Sequence, residues 1–69
     1  MTQKELLYLE DAIGHEQIII KIINNNLENL SNEELITFMN NELSIHKERC
    51  NLLINLLKEK ANGWSVNFR

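Results

Sequence analysis

Two carboxylates and one imidazole, Glu16, Glu42 and His46, are the side chains of this sequence whose types and spacing could do chemistry. Glu42 and His46 stand four residues apart, so on a helix they project from one face. A carboxylate beside an imidazole can share a proton, hold a metal ion, or form a hydrogen-bonded layer inside an apolar core. His15, next to Glu16, is a fourth candidate, as an auxiliary ligand or an interface residue. Which of these roles is open depends on the elements that position the groups.

Two long stretches supply those elements. Thr2 with Glu5 fits a capping box, and so does Ser31 with Glu34. Each opens a run with no proline, and Gly14 is the one glycine before Gly63. The pattern predicts helix 1 over about residues 3–28 and helix 2 over about 32–61, with Gly63 just past the helix end. Lys58 and Lys60 near that end favour the helix dipole. The short link between the runs predicts antiparallel helices within one unit, residues 1–62. Residues 63–69, with Trp64, Val66 and Phe68 alternating, form an aromatic tail.

Helix 1 carries a row at spacings of three and four: Leu6, Leu9, Ile13, Glu16, Ile20, Ile23, Leu27 and Leu30. Helix 2 carries Leu35, Met39, His46, Cys50, Leu53 and Leu57, with Glu42 and Leu43 on its flanks. Such rows face a core, so Glu16 and His46 are expected to point inward. Folding back at Leu30–Ser31 sets Glu16 level with Ile45 or His46, and Glu42 about one turn away. A buried carboxylate is costly unless paired. The expected solution is a Glu16–His46 hydrogen bond supported by Arg49 or Lys47, and the alternative is metal ligation by Glu16, Glu42 and His46.

Each helix bears a second apolar stripe. On helix 1 it comprises Tyr8, Ala12, His15, Ile19 and Ile22, and on helix 2 Phe38, Ile45, Leu52 and Leu56. One neighbouring helix covers one stripe, and a contiguous apolar patch left in water marks an interaction surface. The sequence therefore predicts an all-α protein in which two hairpins pair about a two-fold axis into a four-helix bundle.

Size and charge agree with pairing. A chain of 69 residues is one domain. A chain of that size buries only about 60% of its unfolded surface, and small folds compensate with disulfides, metals or partner subunits. Cys50 is the single cysteine, which excludes an internal disulfide and fits a reducing, cytoplasmic compartment. Its position on the row marks it as a small buried hydrophobe. A net charge of −3 with both signs interspersed argues against nucleic acid. The opening MTQKELLYLED is too charged for a signal peptide, and no apolar run reaches the roughly 20 residues of a membrane span. Glu10 with Asp11 reads as a solvated face, and no nucleophile–base pair is spaced for catalysis, so no enzyme activity is expected.

The hairpin over about residues 3–61 resembles the small ferritin-like half-bundles of bacterial spore coat proteins, through GHEQ at 14–17 and NELSIH at 41–46. The resemblance implies a ferritin-like four-helix bundle, sometimes ligating two metal ions, with a spore-coat location. Glu16 maps onto the first ligating Glu and His46 onto the ligating His. Leu43 stands where the Glu of a Glu-x-x-His pair belongs, with Glu42 one residue earlier. The expected function is that of a small structural protein associating with itself. The alternatives are a metal-binding protein (iron, manganese or zinc) and a regulator docking on another protein through Phe38, Ile45 and Leu52.

Overall fold

A computed structural model describes residues 1–60; Gly63 and the aromatic tail with Trp64 and Phe68 lie outside the described residues. The described residues form two helices, α1 (Gln3–Leu27) and α2 (Glu33–Lys60), which pack against each other. Leu9, Ile13 and Cys50 form one buried cluster, flanked by Ile20, Leu53, Ile54 and Leu57. Early α1 residues thus meet late α2 residues, which makes the pair antiparallel. No described helix is long and apolar enough to cross a membrane.

Local signals start and stop the helices. Thr2 Oγ1 accepts from the Glu5 amide at 3.0 Å, and the Thr2 amide donates to Glu5 Oε1 at 2.8 Å, which completes the expected capping box. The hydrogen bond from the Thr2 backbone, with help from its side chain, holds the Glu5 carboxyl below the usual carboxylate range. At the end of α1 the Asn26 side-chain amide donates back to the Ile22 carbonyl at 2.7 Å. Turn bonds from the Asn29 and Leu30 amides follow. The cap of α2 is Asn32, not Ser31: Asn32 Oδ1 accepts from the Leu35 amide at 2.9 Å. Both residues can cap, and the helix begins one residue later than the Ser31–Glu34 spacing suggested.

The α1 row is as expected, with Leu6, Leu9, Ile13, Glu16 and Ile23 buried. The α2 row holds at Met39, His46, Cys50, Leu53 and Leu57 and departs at its start. Leu43 is buried near its centre and Leu35 is exposed, while Ile36 takes the half-buried place Leu35 was expected to fill. Apolar residues at successive positions widen the α2 arc, so periodicity alone leaves its centre open by one residue.

Gly14 sits inside α1, and a Cβ built on it meets no atom within 4 Å. Glycine in a helix interior loses more backbone freedom on folding than alanine. Gly14→Ala is expected to stabilise the hairpin by about 0.5–1 kcal/mol, read as a raised denaturation midpoint with an unchanged slope.

Candidate functional site

Glu16 is the one polar residue buried among those described, with a relative exposure of 9%. It is buried because it occupies a row position between Ile13 and Ile20. His46 holds the matching place on α2, between Leu43 and Cys50. The two meet directly: His46 Nδ1 and Glu16 Oε1 are 2.5 Å apart. The other Glu16 oxygen accepts from Arg49 Nη1 at 3.5 Å. His46 Nε2 stands 3.6 Å from Glu42 Oε1, the i,i+4 neighbour. The imidazole therefore lies between two carboxylates, one from each helix.

This pairing decides the state of Glu16. Its hydrogen bond with His46 holds the carboxyl below the usual carboxylate range, against the opposing effect of burial, and the positive charge of Arg49 adds to the lowering. Among the described residues no buried side-chain nitrogen or oxygen lacks a hydrogen-bond partner. The node is a hydrogen-bonded polar layer, with Arg49 as the basic residue that supports it.

Glu16, Glu42 and His46 do converge, but not on a common point. The carboxylates engage opposite nitrogens of one ring, whereas a metal ion binds a single imidazole nitrogen and needs its carboxylate ligands on that same side. Among the described residues no group of three His, Cys, Asp or Glu could hold a metal ion. Leu43, where the ferritin-like pattern calls for Glu, is buried and apolar. His15 is exposed, away from the node. The residues present in one hairpin do not fit a metal centre. Two surface depressions, one lined by Glu33, Thr37 and Phe38 and the other by Met1, Leu9 and Leu56, lie away from Glu16 and His46.

The second stripe is the other feature able to do something. Tyr8, His15, Ile22, Phe38, Ile45, Leu52 and Leu56 are exposed, and Ala12 and Ile19 are half-buried. At about 100° per residue, the stripes of both helices turn off the core towards the same side of the antiparallel pair, so they form one continuous apolar face. Arg49 and Glu42 border this face, at 53% and 35% side-chain exposure. Leu7 and Ile18, also exposed, lie elsewhere on α1. The chain matches no known family model, no curated protein and no solved structure.

Proposed function

We propose that this protein is a small structural protein that associates with itself, its hairpins pairing into a four-helix bundle of the ferritin-like kind. One observation carries the reading: Leu52, Tyr8, Phe38 and Ile22, on one face, are 64%, 60%, 57% and 54% exposed. Large apolar side chains grouped in this way on a hairpin with so small a core mark a surface that is covered in use. The Glu16–His46 contact, hydrogen-bonded between the two helices, supports a structural role. A place in a layered assembly such as a spore coat agrees with a chain built to associate.

Sedimentation equilibrium tests the reading. The chain is expected to sediment as a dimer or larger species that dissociates on dilution. Leu52→Glu and Ile45→Lys each place a charge on the apolar face and are expected to weaken association at least about tenfold, because burying an unpaired charge is costly. Both substitutions should leave helical content unchanged. A wild-type chain that stays monomeric at all accessible concentrations overturns the proposal.

A further inference from the structure

Resting on that self-association, we infer how the two copies face each other: α2 packs antiparallel on α2 across a two-fold axis at the height of Ile45 and His46, and Arg49 of each copy pairs with the partner's Glu42. The occupant of the apolar face is a second copy of this chain, and charge complementarity selects it and its orientation.

The argument starts from α2. Phe38, Glu42, Ile45, Arg49, Leu52 and Leu56 fall within a sector of about 80°, taking 100° per residue. This sector faces outward beside the core row. Arg49 and Glu42 stand on either side of Ile45 and His46 at nearly equal distance. A two-fold axis crossing there, perpendicular to the helix, exchanges their heights. Arg49 then lies opposite the partner's Glu42, and Phe38 opposite the partner's Leu52.

Each charge makes only a long contact within one hairpin. Arg49 reaches only a 3.5 Å contact with Glu16, and Glu42 stands 3.6 Å from His46. Both side chains keep enough freedom to meet a partner. The ends of α2 agree. Its first turn is acidic, with Glu33 and Glu34, and its last is basic, with Lys58 and Lys60. Antiparallel pairing brings each acidic end to a basic end, whereas parallel pairing sets like charges together. On α1 the same axis passes near Glu16, so the small Ala12 lies against the partner's Ile19 and Ile22.

A two-fold axis parallel to the helices is the competing arrangement. It would set α2 against the partner's α1 at equal height. Arg49 would then face the partner's apolar Ala12, and the exposed carboxylate nearest in height, Asp11, lies about 100° further round α1. The α2-on-α2 arrangement sets each charge directly opposite its complement, whereas the other sets Arg49 opposite an apolar residue.

Charge exchange tests this directly. Glu42→Arg alone would set Arg49 against the partner's new arginine, and Arg49→Glu alone would set two carboxylates together. Each variant is expected to dimerise at least about tenfold more weakly than wild type. An equimolar mixture is expected to recover, because both cross-pairs are opposite in sign in the heterodimer. Sedimentation and native mass spectrometry read the recovery. A mixture no stronger than its parts, or single variants as strong as wild type, overturns the axis while leaving self-association intact. A monomeric wild type overturns both readings.

Circular dichroism checks that each variant keeps its helices, since Arg49→Glu also disturbs Glu16. If it does not, Glu42→Gln and Arg49→Gln replace the pair in a double-mutant cycle. The double variant is then expected to lose about as much association as the worse single variant. A fully additive loss overturns the inference.

Discussion

Leu9→Ala is expected to lower the stability of the hairpin by about 2–5 kcal/mol, the usual cost of emptying a buried leucine site. Leu9 belongs to the buried cluster with Ile13 and Cys50, and its own exposure is 8%. With two helices there is no third layer to collapse into the space. A core of this size rarely supplies more than about 3–5 kcal/mol in total, so the substitution removes most of what holds the helices together. Denaturation by urea, followed by circular dichroism, reads the effect. Leu7→Ala is the control. Leu7 neighbours the same turn but is 55% exposed, and its loss should stay within about 0.5 kcal/mol. Equal effects at the two positions would mean that the α1 row is wrongly oriented.

His46→Ala is the second large effect, and pH gives it a signature. The variant leaves the Glu16 carboxylate buried with Arg49 as its remaining partner, so the melting temperature should fall markedly near neutral pH. Glu16 is held below its ordinary value of 4.5 in the folded chain, chiefly by His46. A carboxyl with a depressed folded pKa contributes stability above its unfolded value, and loses it as pH falls through the folded one. Wild type should therefore lose this contribution below pH 4.5. His46→Ala lacks the larger, His46 part of it at every pH, so the gap between the two melting temperatures should narrow on acidification. Melting curves at several pH values decide it. A gap that stays constant through that range would show that Glu16 and His46 do not act as a pair.

Most of the hairpin was legible in the sequence because its signals are local or periodic. The Thr2–Glu5 capping box, the α1 row and the short link each needed a few neighbouring residues to interpret. The Glu16–His46 contact was legible too, since two polar residues on facing rows at one height meet across the core. The start of α2 was not. Ser31 and Asn32 are both able to cap, and Glu34 drew the assignment to Ser31, whereas the geometry of the link favours Asn32. The centre of the α2 row was ambiguous because Leu35 with Ile36 and Leu52 with Leu53 put apolar groups on two faces at once. Packing against α1 resolved it towards Ile36 and Leu43. Arg49 and Lys47 were equal candidates to support Glu16, and the reach from the last turn before Cys50 belongs to Arg49. The second stripe was visible as a pattern, yet what covers it is a property of two molecules rather than one.

The short connection from Glu28 to Asn32 also sets an order of assembly within each chain. Closing a loop costs more entropy as the loop lengthens. Contacts beside the connection, around Ile23 and Met39, therefore become favourable first, and each docked turn brings the next within reach. The helices zip outward, past the paired Glu16 and His46, to the far end where Leu6 and Leu57 lie. Those outermost turns are expected to seat last.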